Sequence, residues 1–309
     1  MADVAGAVEP RVALGAGSVR HTANAVGWAA FLGVVALALF GPLAILVGFS
    51  LNDSSILAFP FEGLTLGWYR QALADPTLRE ALANSLGVAL VVAPLSVILG
   101  TLAAFGLTRF RFRGRGMVGA LVGAPLVLPW LIIGIAALMG YARVDLDLTL
   151  RTVVATQTIC TFPLVTAIVS AQLFRFQRVQ EEAAIDLGCS RLQVLRHVIL
   201  PHIGPALGAA AIFAFTWSFN NYEISLFTIG FQQTFPIWVY SSVRNPDHTA
   251  VVNAVSTLIS AFQVVTIWLA IRLLRSRGGG ALSIVGDRAV AAGTVAEGSG
   301  VPAPVGAPR

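Results

Sequence analysis

The sequence predicts an all-α membrane protein with six transmembrane helices, and three observations carry that expectation. The composition is too apolar to cover a water-facing surface: 56% of the residues are hydrophobic and 11% charged, with a mean hydropathy of +0.80, whereas a soluble domain carries about 25% charged residues. Charge-free apolar stretches recur six times, at Val26–Asn52, Ala81–Thr108, Gly116–Ala142, Thr152–Phe174, Ile203–Tyr222 and Ala250–Ile271. Each supplies the ~20 residues a helix needs to cross a hydrocarbon core. None of them alternates polar and apolar side chains as the strands of a membrane barrel do. A helix is then the conformation that satisfies the backbone inside lipid.

Taken in order, residues 1–25 are rich in Ala, Gly and Val and poor in large side chains. They bury too little to offset ordering entropy and are expected to be a disordered tail. The first span, Val26–Asn52, is too long for a cleaved signal core and is expected to be retained. The connection 53–80 contains Trp68-Tyr69-Arg70-Gln71-Ala72-Leu73 before Asp75-Pro76. Two readings are open there, a short amphipathic helix with its aromatic pair at headgroup level and a mobile loop. Pro42, Pro94, Pro125, Pro129 and Pro163 fall within spans. Each removes a backbone donor and tends to kink its helix, either as a local bend that neighbours accommodate or as a gating hinge.

Every basic residue is arginine, and the arginines set orientation. With the N-terminus inside, Arg11, Arg20, the cluster Arg109, Arg111, Arg113 and Arg115, then Arg175, Arg178, Arg191 and Arg196, and finally Arg272, Arg275 and Arg277 all fall on the cytoplasmic side. Arg70, Arg79, Arg143, Arg151 and Arg244 fall outside. This is the positive-inside asymmetry. It reads the Arg109–Arg115 cluster as a topology determinant rather than a nucleic-acid site. The last stretch, 276–309, is again rich in Gly, Ala, Pro and Val and is expected to be a second cytoplasmic tail. The membrane unit is therefore expected at 26–275, with a cytoplasmic loop at 178–202.

Several chemistries are excluded. A P-loop needs a lysine on the phosphates, and the chain has none. His21, His197, His202 and His248 are scattered, without a His-Glu-x-x-His pair for a metal or a Gly-x-Ser-x-Gly for a nucleophile. Cys160 lies in an apolar stretch and Cys189 in a basic loop, which argues against a disulfide. No catalytic residue, cofactor or metal is expected, and the chain reads as a transport component rather than an enzyme.

The loop 178–202 holds the most informative residues. Val179 through Leu187 suits a short helix with acids near its start, where the helix dipole favours them. Gly188 can take the left-handed conformation that stops a helix. Ser190 with Gln193 forms a capping box that starts another. Leu192, Leu195 and Ile199 are spaced to share one face of that second helix, and Pro201 ends the pattern before the next span. The result is a helix–turn–helix on the membrane face, either a docking element for a soluble partner or an interfacial hairpin with none.

This loop resembles that of the binding-protein-dependent ABC importer permeases, which is patterned Glu-Ala-Ala, a Gly four residues on, and a late Leu-Pro. Glu182, Ala183, Ala184, Gly188, Leu200 and Pro201 occupy those positions, with Val198 where the family usually has Ile. Within the family the chain is similar to the spermidine/putrescine-type permeases. That similarity runs through Ala124–Leu131, Ala214–Phe219, Ile224-Ser225, Val239–Ser241 and Val252–Ala254, and covers roughly residues 28–275. The resemblance implies a type I ABC importer permease fold in a bacterial inner membrane. It also implies a second permease subunit, similar or identical, a pair of ATP-binding subunits below, and an extracytoplasmic solute-binding protein above. The six motif residues would couple the permease to the ATPase.

For the solute pathway, the fifth span offers Thr216, Asn220 and Glu223, which at ~100° per residue share one helix face, flanked by Trp217 and Asn221. A charge at a helix centre costs about 2.5–3.5 kcal/mol on insertion scales and usually faces a cavity or a partner. Glu223 either lines the pathway, where it could attract a cationic solute, or sits near the outer end in water or beside an arginine. The spermidine-type permeases often carry acids where Asn220 and Asn221 stand, so this chain departs from them there. A secondary transporter driven by an ion gradient is the alternative, but no inverted repeat of the kind such transporters use is visible.

Overall fold

The computed structural model describes residues 16–54, 60–245 and 248–277. These fold almost entirely as helices. Five are long and apolar enough to cross a membrane, and one further bent pair makes six if counted as a single span. The first helix, α1 (Ala16–Ser50), starts inside the segment expected to be a tail, while 1–15 and 278–309 lie outside the described residues. From Trp28 to Ile45 its large apolar side chains are exposed, and its main neighbour is the last helix, α12 (Thr249–Arg277).

The core is a trio of α3 (Pro76–Arg109), α6 (Leu150–Arg175) and α9 (Leu200–Phe219). Small residues let the trio close up. A Cβ added at Gly100 of α3 would lie 2.6 Å from Val165 Cβ and 2.8 Å from the Phe162 carbonyl of α6. Val165, Val169 and Leu173 of α6, with Ile203, Ala210 and Ala214 of α9, are buried around this crossing. Lipid offers no hydrophobic gain for helix association, so close van der Waals packing of this kind holds such helices together.

Two expected spans are interrupted. The third divides into α4 (Arg115–Val127) and α5 (Trp130–Arg143), which meet at 106°. Proline disfavours the helical region in the residue before it, and Leu128 is accordingly extended at φ −77°, ψ 137°, with Pro129 at ψ 130°. Pro129 therefore breaks the span rather than bending it. The fifth ends at Phe219, and after Asn220–Tyr222 the chain starts a separate short helix, α10 (Glu223–Thr228). The two interrupted elements pack on each other. A Cβ at Gly134 of α5 would meet Phe227 Cδ2 at 3.1 Å and the Glu223 carbonyl at 3.2 Å.

At the end of the bundle away from the arginine cluster, the connection after α1 forms a helix, α2 (Gly67–Ala74), so the helical reading of 68–73 holds. Trp68 Nε1 donates to the Asn52 carbonyl at 2.9 Å, and Tyr69 Oη and Ser50 Oγ share a hydrogen bond at 2.7 Å. Asp75 then caps α3 by accepting from the Thr77 and Leu78 N–H groups. A further short helix, α11 (Phe235–Val243), closes over this end, with its first N–H donated to Ser85 Oγ at 2.8 Å.

Candidate functional site

At the arginine-rich end, α7 (Arg178–Asp186) and α8 (Arg191–Val194) form the expected hairpin. Gly188 turns the chain at φ +89°, with its N–H donated to the Ile185 carbonyl at 2.8 Å and the next one, from Cys189, to Ala184 at 3.0 Å. Both halves of the Ser190–Gln193 capping box are formed. Glu182 and Ala183 are exposed on α7, while Ala184 packs against the core cluster. Apolar side chains also stand free around this tip, among them Val179, Leu187 and Leu192.

The second helix of the hairpin departs from expectation in two ways. Leu192 points outward, and the buried face is formed instead by Val194 and Ile199 with Leu195 and Val198 beside them. Pro201 does not end the helix. A π-helical turn at Leu195–Ile199 leads straight into α9, so the path from Arg191 to Phe219 is continuous. In that turn the Leu200 N–H bonds the Leu195 carbonyl, five residues back. The widened register brings the chain to Pro201, which has no N–H to offer, without a break. Leu200 and Pro201 are exposed at the start of α9.

The pathway residues are distributed differently from the single face expected. Thr216 and Trp217 lie in the last turn of α9 and Asn220 is its C-cap, with Nδ2 donating to the Thr216 carbonyl and Oδ1 accepting from Gln263 of α12 at 2.9 Å. Glu223 is not on that helix. It opens α10, exposed, in the turn where a helix dipole favours an acid. Asn221 is buried and structural: its Oδ1 accepts from the Ile224 N–H at 3.1 Å and so caps α10. Trp217 stacks on Phe213 and meets Trp130, the first residue of α5, at 4.3 Å between ring centroids. The structure thus gathers Trp217 and Glu223 around the two breaks, not along one helix.

Two groups of residues were not singled out from the sequence. Buried Gln157 of α6 donates to Ser225 Oγ of α10 at 3.0 Å and accepts from Ser218 of α9. A glutamine inside an apolar stretch was the available signal, since such groups bond across helices. Arg109, counted only toward topology, pairs with Glu181 of α7.

Residues 96–276 match the family described as "Binding-protein-dependent transport system inner membrane component". The chain belongs to this family. Among curated relatives of this permease family, the putrescine transport system permease protein PotI of Escherichia coli (strain K12) is 36% identical over 233 residues, 72% of this chain and 81% of the relative. The spermidine/putrescine transport system permease protein PotC of the same strain is 29% identical over 241 residues, covering 77% of this chain and 89% of that one. The resemblance to the spermidine/putrescine-type permeases is thereby met. A bacterial ABC transporter involved in import of the acidic polysaccharide alginate superposes with a TM-score of 0.62 at 18% identity, over 84% of this chain and 99% of the other. The MetNI methionine ABC transporter does so at 0.54 and 17%, over 65% and 95%. These likenesses show the fold, that of the type I ABC importer permeases. The chain is a multi-pass inner-membrane permease of a binding-protein-dependent importer.

Proposed function

We propose that this permease passes a small polyamine-like solute from an extracytoplasmic solute-binding protein across the bacterial cytoplasmic membrane, powered by a separate pair of ATP-binding subunits. The observation that carries the reading is the α7–Gly188–α8 hairpin. It is a knob whose turn is closed at Gly188 and whose second helix is started by the Ser190–Gln193 capping box, with an exposed acid and an apolar tip, seated on the bundle at the end where the arginines collect. Such a knob suits a cleft in a soluble motor. Glu182 would make polar contacts there, Ala183 would permit close approach, and Gly188 sets the angle between the two short helices. Energy has to come from another subunit, because a chain without lysine cannot form a P-loop. The helix α1, apolar on all sides, supports burial against lipid and a second permease subunit. The arginine bias supports cytoplasmic termini, with tails 1–25 and 276–309 flanking a permease domain at 26–275.

The names of the relatives PotI and PotC support putrescine or a similar polyamine as solute. Trp130, Trp217 and Glu223, gathered where two spans break, suit an extended cation, which an aromatic face and a carboxylate both attract. Glu182→Arg tests the coupling role: the subunit should insert normally and uptake should vanish. Uptake at the unmutated rate would refute it. For the pathway, Glu223→Gln should raise the KM for putrescine, and unchanged kinetics would remove Glu223 from the route.

A further inference from the structure

We infer that Arg109, Glu181 and Arg178 form a mechanical joint through which α7 drives α3. The inference rests on the docking reading above and deepens it by naming the helix that receives the motion. Glu181 lies in the first turn of α7 and Arg109 is the last residue of α3. Their carboxylate and guanidinium meet at 2.5 Å, with the side chains only 20% and 13% exposed. The Arg109 guanidinium carbon also lies 5.8 Å from the ring centroid of Phe176, the buried residue that closes α6. Three residues before Glu181, Arg178 donates to the Thr108 carbonyl at 3.3 Å.

The arrangement is reciprocal. The carbonyls at the end of α3 lack helical partners and carry partial negative charge, and Arg178 answers them. The start of α7 carries partial positive charge, and it holds the acid that answers Arg109. A shielded pair of this kind is screened by salt much less than one on an open surface.

The connectivity makes the joint consequential. Along the chain, α7 is joined only to α6 and, through α8, to α9. The chain reaches α3 at this end only through the connection 110–114 to α4. Yet α3 is the helix packed against both α6 and α9. Without the joint, a push on the hairpin reaches two members of the core trio through the backbone and leaves the third to follow by packing. With it, all three ends are held.

The test uses the assembled importer in proteoliposomes, with Cys189→Ser and a reporter cysteine at Leu107 of α3 or at Ala171 of α6. The readout is the rate of thiol labelling with and without ATP. In the unmutated joint, ATP should change labelling at both positions. R109E or E181R should abolish the change at Leu107 while preserving it at Ala171, and the double swap R109E/E181R should restore it. Coupling between contacting residues corresponds to about 2- to 150-fold, so the double swap should recover at least about twofold of the response that either single change loses. Should a reversed charge keep the chain from accumulating, R109Q and E181Q carry the same comparison without introducing repulsion. The joint is overturned if ATP leaves Leu107 unchanged in the unmutated importer, if the single variants respond like it, or if the swap does no better than they do. The docking reading fails separately, if the ATP-binding subunits do not co-purify with the unmutated chain.

Discussion

Replacing Gly100 by alanine adds one methyl group where α3 and α6 cross in close contact. That methyl would stand 2.6 Å from Val165 Cβ and 2.7 Å from Val165 Cγ1, and 2.8 Å from the backbone oxygen of Phe162. Carbon atoms pack best at about 3.5–4.0 Å, so α3 and α6 must part by roughly 1 Å. The backbone oxygen cannot rotate away as a side chain would. Overpacking of this sort costs about 1–3 kcal/mol, against which alanine recovers about 1 kcal/mol of helix propensity. Gly87, on the same helix, has nothing within 4 Å of the corresponding point, so Gly87→Ala should gain the propensity and meet no obstacle. The propensity cancels between the two variants, which should differ by about 1–3 kcal/mol with Gly100→Ala the weaker. Cys160 on α6 is buried and serves as the reporter in a Cys189→Ser background. Its exposure to a thiol-reactive dye on heating in detergent gives the midpoint for each variant. Equal midpoints would refute the close approach of α3 and α6, and with it the account of the core.

Three further outcomes are expected. Gly188 has open space around it but sits at φ +89°, so substitutions there should rank by tolerance of that backbone and not by size. Asn should be mildest, Ala should cost about 1 kcal/mol and Val more, read as trypsin cleavage within the hairpin; a ranking by volume would contradict this. Burial alone would raise the Asp75 carboxyl, but hydrogen bonds from the Thr77 hydroxyl and from the Thr77 and Leu78 N–H groups outweigh it and hold the group below its ordinary 3.8. A depressed carboxyl contributes stability above that ordinary value and loses it as pH falls through the lower one. The unmutated chain should therefore lose midpoint temperature as pH falls below 3.8, and Asp75→Asn should flatten that loss; identical pH profiles would dismiss the cap. Finally, Gln157→Leu removes the acceptor of the Ser218 hydroxyl and leaves it buried and unpaired, at about 1–3 kcal/mol, while the Ser225 hydroxyl keeps its bond to the Asn221 carbonyl. Its midpoint should drop, and an unchanged value would show the network to be dispensable.

The sequence makes span positions legible because the cost of a charge in lipid is local and additive along the chain. It makes the hairpin legible because Gly188, Ser190 and Gln193 act on their own neighbours. What it conceals is whether an apolar stretch is one helix. Leu128 and Pro129 decide this for the third span through two backbone angles that hydropathy does not register. The polar pair Asn220-Asn221 marks the same event in the fifth. Counting residues at 100° per step placed Thr216, Asn220 and Glu223 on one face, and that arithmetic fails wherever the helix stops. The Arg109–Glu181 pair is hidden for another reason. Its members are far apart in sequence, and an arginine beside a membrane already has a sufficient explanation in topology.

Gly134 has one more consequence. By letting the backbone of Glu223 and Ile224 approach α5 directly, it fuses the second halves of the two divided spans into a single small piece, with Trp130 at one corner and Glu223 at another. A tilt of this piece would reposition aromatic ring and acid together, leaving the distance between them fixed while the opening around them changes. On the route proposed above, selectivity and passage would then be separable: the shape of the piece would set the first, and its angle the second.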